Sequence, residues 1–301
     1  MDYRHTDDNF LKIDDEAFYN YAAARFAVFE APYEHTSSYH AGSRRGPAAI
    51  IQASQFVETY DEELDTEAYR LAGIATLAAL DFSGAIDAAA VALIQDRVAT
   101  ILRDVKIPVM LGAEHTVTLG AVQAARHRYP DLSVLQIDAH SDLRDAYQGN
   151  RYSHASVMAR VHELDVPLVQ VGIRAQCREE AELIRRSPNI HTLYAHQIQQ
   201  RGLSEWTEAA SQHLTPHVYV TIDADGFDPS IVPAVGTAEP NGLTWQQGIE
   251  LLRRVSQNHH VVGFDVVEVA PQPPATLSEY LLAKLVYKFM GLLVTSPQNR
   301  G

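Results

Sequence analysis

Short apolar runs alternate with amphipathic stretches along most of the chain. Runs of β-favouring apolar residues predict strands, and apolar residues spaced three and four apart predict helices. The predicted strands are residues 27–30, 107–111, 133–137, 168–173, 190–193, 218–222 and 261–267. The predicted helices are residues 15–25, 46–57, 91–102, 117–127, 179–186, 204–213, 245–255 and 277–293. This alternation indicates βαβ units and a parallel sheet covered by helices on both faces.

The organisation of the chain favours one domain. The 301 residues include 46% hydrophobic residues, enough for a full-sized core. We find no internal repeat, low-complexity segment or Gly/Ser linker, so we expect a single domain over residues 1–301, with residues 1–25 as an N-terminal extension packed on it. The alanine-rich stretch 71–94 is interrupted by Asp81 and Asp87 and is too polar for a membrane span.

Charge and cysteine content narrow the class of partner. With 24 Lys and Arg against 38 Asp and Glu, the net charge is −14. This balance argues against nucleic acids and anionic membranes as partners and weakly favours a cationic ligand. The one cysteine, Cys177, excludes an intrachain disulfide, and the charged residues 1–12 show no apolar signal segment. We therefore expect a cytoplasmic protein.

Alternating metal-type ligands follow the predicted strand at 133–137. Asp138, His140 and Asp142 occupy every second position after it. If the extended backbone continues, these side chains point to the same side and converge at the carboxyl end of the strand. One aspartate alone is more often a helix cap, and one histidine alone a core residue, but three in register fit neither alternative. The stretch therefore predicts half of a metal site.

Two further strand ends supply the rest of that site. Asp223 and Asp225 follow the strand at 218–222, and His115 follows the strand at 107–111. In parallel sheets the carboxyl ends of the strands share one edge, where ligands bind. Two buried carboxylates facing each other without a cation would cost several kcal/mol. A local calcium loop is the rival interpretation, but it has no use for His115 and His140.

The number and type of ligands indicate two metal ions. Four carboxylates and two imidazoles exceed what one ion requires, and a set without thiolates favours Mn²⁺ over Zn²⁺. Two such ions can share a water and lower its pKa.

Two other residues carry candidate chemistry. Glu268 follows the strand at 261–267, where its carboxylate can pair with a planar guanidinium or form an ordinary salt bridge with an arginine. His154 lies a dozen residues beyond Asp142, where it can shuttle a proton or be a structural residue. The loop at 35–40 is rich in polar side chains and has no assigned role.

The motifs around these residues resemble the ureohydrolase (arginase) superfamily, and within it the agmatinase-type branch. The resemblance starts near residues 31–33 and rests on the sequences SRRGP (43–47), GAEH (112–115), DAHSD (138–142), TIDADGFDP (221–229) and EVAP (268–271). It implies a three-layer α/β/α sandwich around a mostly parallel eight-stranded sheet. It also implies assembly as homo-trimers or homo-hexamers.

The resemblance also implies roles for the candidate residues. Two Mn²⁺ ions per chain are expected, the first held by His115, Asp138, Asp142 and Asp223, and the second by Asp138, His140, Asp223 and Asp225. His154 corresponds to a mobile proton-shuttling histidine, and Glu268 to a glutamate that binds the guanidinium group. The chain departs from the family at Ala113 and Ala155, where glycine is common.

The expected substrate is a small cationic guanidino compound. The loop at 149–156 and the Arg174–Ala175–Gln176 stretch resemble agmatinases rather than arginases. The implied reaction converts agmatine and water to putrescine and urea, with Asp142 passing a proton to the leaving amine. The alternatives are the same chemistry on guanidinobutyrate, guanidine or arginine, a one-metal deacetylase-like hydrolase, and a non-catalytic regulatory or assembly homologue.

Overall fold

The computed structural model describes residues 1–299 and contains a parallel sheet of eight strands in the order β4-β1-β5-β10-β9-β6-β7-β8. Every pairing within this sheet is parallel. Its strands are β1 (Phe26–Ala31), β4 (Ile74–Thr76), β5 (Ile107–Gly112), β6 (Leu132–Ile137), β7 (Leu168–Ile173), β8 (Ile190–Tyr194), β9 (His217–Asp223) and β10 (His260–Val267). Strands β2 (Tyr60–Asp61) and β3 (Thr66–Glu67) form a separate antiparallel pair.

Helices cover both faces of the large sheet. They are α1 (Glu16–Tyr19), α2 (Gly46–Ser54), α3 (Ala68–Ala72), α4 (Ala88–Arg103), α5 (Thr118–Arg128), α6 (Val157–His162), α7 (Arg178–Arg186), α8 (Ala195–Ile198), α9 (Leu203–Ser211), α10 (Trp245–Asn258) and α11 (Leu277–Thr295). Successive residues of a strand belong to apolar clusters on opposite faces of the sheet. In β9, Val218 and Val220 belong to the cluster that includes α2, α10 and α11, and Tyr219 belongs to the cluster that includes α4, α5 and α6. The expected three-layer α/β/α sandwich is thereby confirmed.

The four central strands end at nearly the same level. Ile137 of β6 pairs with Ile222 of β9, and Val267 of β10 pairs with Asp223 of β9. On the other side, β10 pairs with β5 through Val266 and Leu111. The segments that follow β5, β6, β9 and β10 therefore meet at one edge of the sheet.

The predicted secondary structure missed the short elements β2, β3, β4, α3, α6 and α8, and it made the first helix too long. The edge strand β4 was missed because it has three residues and lies inside an alanine-rich stretch. The helix expected over residues 15–25 is limited to α1, which is capped by Asp15 and ends at Tyr19. The backbone of Asn20 is extended, and its carbonyl accepts the N–H groups of Ala23 and Ala24 in a turn that leads to β1.

Helix α11 spans 19 residues and is largely buried against the sheet. Its Lys288 pairs with Asp61 at 2.8 Å and Glu63 at 2.9 Å, so the helix also holds the β2–β3 segment. Within residues 1–299, neither this helix nor any other combines the length and apolar character that crossing a bilayer requires.

The N-terminal residues contact the edge of the sheet. Phe10 is fully buried, and its N–H donates to Thr76 Oγ1 at 2.8 Å. The N–H of Leu11 donates to Ser54 Oγ of α2 at 2.9 Å. These contacts attach the segment before β1 to β4 and to α2.

We predict that Phe10→Ala lowers the free energy of unfolding by about 3–5 kcal/mol, because it removes a fully buried aromatic ring. The measurement is urea denaturation followed by circular dichroism. Phe56→Ala is the matched control, since Phe56 is 73% exposed, and its effect should stay within about 0.5 kcal/mol. Equal effects of the two variants would contradict the packing described for the N-terminal segment.

Candidate metal centre

The six predicted ligands all lie at the edge where the central strands end. His115 follows β5, Asp223 is the last residue of β9, and Asp225 lies in the 3₁₀ turn after it. Asp138, His140 and Asp142 lie in the segment after β6. Short distances join these side chains in two groups.

The first group surrounds the imidazole of His115, which is fully buried. Its Nδ1 lies 3.1 Å from Asp138 Oδ2, 3.1 Å from Asp142 Oδ2 and 3.3 Å from Asp223 Oδ2. This nitrogen nevertheless has no well-formed hydrogen bond with any atom of residues 1–299. Four ligand atoms therefore converge on a small volume without pairing among themselves.

The second group surrounds His140. Its Nδ1 lies 3.0 Å from Asp225 Oδ2 and 3.7 Å from Asp138 Oδ1. The two oxygens of Asp138 thus face different imidazoles, one in each group. Asp223 faces the first group through Oδ2, while its Oδ1 accepts the N–H of Asp225 at 2.9 Å.

The donor atoms in both groups fit a divalent metal ion. His115, Asp138 and Asp142 form one set with ligand atoms close enough to share an ion, and Asp138, His140 and Asp225 form another. Imidazole nitrogens combined with carboxylate oxygens suit borderline to hard divalent ions. The structure therefore contains candidate metal-binding groups at the predicted positions.

Burial and mutual repulsion strongly perturb these carboxyl groups. Burial, followed by the charges of Asp225 and Asp138, raises the pKa of Asp223 well above its usual range. Burial and the charge of Asp138 raise the pKa of Asp142 to about 7. For Asp225, burial is outweighed by the charge of His140, which lowers its pKa to about 2. A bound cation would relieve the repulsion that raises the first two values.

A hydrogen-bonded network that the sequence analysis missed orients His115. Its Nε2 lies 2.9 Å from Thr221 Oγ1, which donates to Asp265 Oδ1 at 2.6 Å. Asp265 Oδ2 also accepts from Thr118 and Tyr219, at 3.0 and 2.9 Å. Since Thr221 gives its proton to Asp265, Nε2–H of His115 donates to Thr221, and Nδ1 is the ring nitrogen directed toward the carboxylates. Thr221 lies two positions before Asp223, a spacing that could have indicated this role.

Extended backbone does not continue through Asp142, contrary to the expectation from the alternating pattern. Asp142 has φ = 52° and Glu268 has φ = 65°, both in the left-handed region. The carbonyl of Asp142 accepts from Met158 and Ala159 at the start of α6, and Glu268 N–H donates to the carbonyl of Ala113. A turn, held by these contacts, therefore directs the Asp142 carboxylate toward His115. Such conformations in non-glycine residues are concentrated at functional sites.

A cavity of about 220 Å³ opens beside both groups. Its walls include four of the metal-type ligands, both additional candidates and the loop of unassigned role: Ser37, Ser38, Tyr39, His40, His140, Asp142, Arg144, Tyr147, His154, Ala155, Asp223, Asp225, Gly236, Thr237 and Glu268. His154 and Glu268 therefore share one space with the candidate ligands. Neither Ala113 nor Ala155, the two positions where glycine is common in the family, has a positive φ angle. A methyl group at these positions therefore causes no backbone strain.

Glu268 has no basic partner among the described residues. Its Oε1 accepts the N–H of His115 at 2.7 Å, and no Lys or Arg nitrogen within residues 1–299 lies within ion-pair distance of its carboxylate. Burial, followed by the charge of Glu114, raises the pKa of Glu268 well above its usual range. The alternative of an ordinary arginine salt bridge finds no support in this arrangement.

His154 lines the cavity and contacts the loop at 35–40. Its Nδ1 is 3.0 Å from Thr36 Oγ1, and its ring meets that of Tyr147 edge-on at 5.8 Å. Burial, with the positive charges of His115 and His140, lowers the pKa of His154 to about 4. These surroundings favour the neutral form of the imidazole.

Comparison with known proteins identifies the family to which this chain belongs. The model of the arginase family matches residues 24–291. Over 285 residues, the chain is 42% identical to the N(1)-aminopropylagmatine ureohydrolase of Synechocystis sp., covering 93% of this chain and 92% of the relative. It is 32% identical to the agmatinase of Pyrococcus horikoshii, covering 89% and 92%. The crystal structure of agmatine ureohydrolase from Thermoplasma volcanium superposes with a TM-score of 0.81 at 32% identity, covering 92% of both chains.

The chain belongs to the arginase family. The predicted relationship to agmatinase-type ureohydrolases, and the predicted class of hydrolase acting on carbon–nitrogen bonds of linear amidines, are confirmed. The number and identity of the metal ions, and the roles of individual residues, stay predictions.

We predict that Mn²⁺ at about one hundred times its Kd stabilises the protein by about 2.7 kcal/mol for each occupied site, seen as a higher Tm by differential scanning fluorimetry. Asp223→Asn should change the metal-free Tm little, because the raised pKa already disfavours the Asp223 anion. The variant should lose most of the Mn²⁺-induced rise. Asp96→Asn, which changes an exposed carboxylate on α4, should respond to Mn²⁺ like the wild type. An equal rise in Asp223→Asn would contradict the candidate centre.

Proposed function

We propose that the protein hydrolyses agmatine to putrescine and urea, at the cavity lined by Glu268 and the two ligand groups. The observation that carries this proposal is the Glu268 carboxylate, which faces the cavity without a basic partner among residues 1–299. A guanidinium offers paired N–H donors in a plane and can satisfy both carboxylate oxygens. Its positive charge would also favour the ionised form of Glu268.

We assign two Mn²⁺ ions to the two ligand groups. His115, Asp138, Asp142 and Asp223 would hold the first, and Asp138, His140, Asp223 and Asp225 the second. The bridging role of Asp138 is supported by its two oxygens, which face different imidazoles. When bound, such a pair of ions would make hydroxide available at neutral pH and would stabilise negative charge on the oxygen that attacks the guanidinium carbon.

The residues of the chain itself would bind, orient and move protons. Glu268 holds the guanidinium group of the substrate. The guanidinium carbon then lies beside the ligand groups rather than in the mouth of the cavity. Asp142, which lines the cavity next to His115, passes a proton to the leaving amine. His154 exchanges protons between this site and solvent.

The rest of the substrate would extend toward the cavity mouth. Tyr39, His40 and Tyr147 form part of that wall, and aromatic faces attract an ammonium group. Arg144 also lies there, and its positive charge would repel a cationic substrate. Its guanidinium group lies 5.4 Å from the centroid of the Tyr147 ring. The net charge of −14 favours a substrate with two or more positive charges.

N(1)-aminopropylagmatine is a second candidate substrate. The relative with 42% identity is named as the ureohydrolase of this compound. N(1)-aminopropylagmatine has the same guanidino group as agmatine on a longer cationic chain. Either substrate belongs to polyamine metabolism. Assembly as a homo-trimer or homo-hexamer and a cytoplasmic location remain predictions from the resemblance and the composition.

The non-catalytic alternative leaves the ligand groups without a purpose. Retaining Asp138, Asp223 and Asp225 together in a buried cluster is unfavourable unless cations compensate their charges. A one-metal hydrolase would likewise leave the second group around His140 unused. Both alternatives therefore fit the arrangement less well than a two-metal ureohydrolase.

The test is urea release by Mn²⁺-loaded protein from agmatine, N(1)-aminopropylagmatine, guanidinobutyrate, guanidine and arginine. We expect the highest kcat/KM for agmatine or N(1)-aminopropylagmatine. A preference for guanidinobutyrate or arginine would contradict the prediction that the substrate has a cationic tail. No urea from any of the five compounds would favour the non-catalytic alternative.

We predict that His154→Ala retains its metal ions yet loses about 10²–10⁴-fold in kcat, the usual contribution of a general acid–base group. Metal content by elemental analysis and steady-state kinetics are measured on one preparation. His127→Ala, which changes an exposed histidine on α5, is the matched control. Near-normal turnover of His154→Ala in buffers without small bases would show that His154 is a structural residue and does not transfer protons.

We predict that Glu268→Gln lowers kcat/KM by the equivalent of about 2–5 kcal/mol, because a charged guanidinium then faces a neutral amide. Metal content and Tm should change little. Glu163→Gln is the matched control, since Glu163 makes only ion pairs with Arg151 and Arg160 at 2.6 and 2.9 Å. A lower Tm with unchanged kcat/KM for Glu268→Gln would show that this residue is structural and does not bind substrate.

A further inference from the structure

The loop at 35–40 is attached to the candidate centre by a buried glutamate. Glu114, directly before His115, is fully buried. Its Oε2 accepts two backbone N–H groups of the loop, from His35 at 3.0 Å and from Thr36 at 2.7 Å. The position of residue 36 is therefore coupled to the end of β5.

Thr36 in turn contacts His154 at two points. The Thr36 hydroxyl oxygen accepts the backbone N–H of His154 at 3.1 Å, and it lies 3.0 Å from Nδ1 of the ring. Ser153 Oγ is the next polar atom near Nδ1, at 3.4 Å, and it already accepts the N–H of Ala155. Thr36 is thus the better-placed partner of Nδ1, and Nε2 is the ring nitrogen left for the cavity.

We propose that Thr36 is a positioning residue for His154, and that Glu114 fixes the loop backbone from which Thr36 acts. The inference rests on the proposed function, in which His154 moves protons. A hydroxyl group both donates and accepts, so it can keep its hydrogen bond to Nδ1 whether the imidazole is neutral or protonated. The ring then keeps one orientation through a proton-transfer cycle, with Nε2 directed to the cavity.

The first test compares Thr36→Val with Thr36→Ser in Mn²⁺-loaded protein. Valine keeps the shape of threonine but removes the hydroxyl, and serine keeps the hydroxyl. We expect Thr36→Val to lower kcat by about 10–100-fold, as loss of a partner that orients a functional histidine typically does, with KM and metal content nearly unchanged. Thr36→Ser should restore most of kcat. Equal losses in the two variants, or a loss confined to KM, would overturn the proposal.

A double-variant cycle separates action through His154 from an independent effect of the loop. If Thr36 acts only by positioning His154, adding Thr36→Val to His154→Ala should cause no further loss of kcat. A further loss equal to that of Thr36→Val alone would overturn the proposal while leaving the ureohydrolase function intact. Wild-type protein that releases no urea would instead contradict the proposed function.

Crystal structures of the wild type, Thr36→Ser and Thr36→Val test the geometry without reference to activity. We expect the His154 ring to keep its place, with Nδ1 on the hydroxyl of residue 36, in the first two. In Thr36→Val the ring should turn or occupy more than one position. An unchanged ring in Thr36→Val would overturn the proposal whether or not the protein releases urea.

Discussion

The arrangement of this protein depends on the repulsion among carboxylates gathered at one edge of its sheet. Asp138, Asp142, Asp223 and Asp225 are all buried, and three of their oxygens approach one imidazole nitrogen of His115 within 3.3 Å. Such a cluster is unfavourable in a folded protein unless cations neutralise it. The raised pKa values of Asp142 and Asp223 express the same constraint. Divalent ions would convert this unfavourable cluster into a source of stability and of reactivity.

The topology of the sheet creates the cluster. Strands β5, β10, β9 and β6 are neighbours, and their carboxyl ends lie level. Each therefore delivers its next residues to one place: His115, Glu268, Asp223 and Asp138. Connections that are distant in sequence then complete the site, since Asp265 orients His115 through Thr221 and the loop around Thr36 contacts His154. The ends of the strands therefore supply the candidate ligands, and a loop supplies the contact to His154.

The candidate ligands were predictable because their signal is local. Asp138, His140 and Asp142, like Asp223 and Asp225, directly follow apolar strands, and a parallel sheet brings such positions together. Glu114 and Thr36 left no comparable signal, because their roles depend on contacts between segments 78 residues apart. The edge strand β4 was missed for a different reason: its three residues lie in a stretch whose alanines favour helix. The turn at Asp142 was also unforeseen, since a left-handed aspartate depends on its carbonyl contacts with α6.

The central claim is that the two ligand groups hold two divalent ions in each chain. The most direct measurement is the metal content of protein dialysed against Mn²⁺ and then freed of excess metal, with protein concentration from amino-acid analysis. The account predicts about two Mn²⁺ ions per chain, as the number of carboxylate and imidazole ligands requires. One ion per chain, or none, would contradict it.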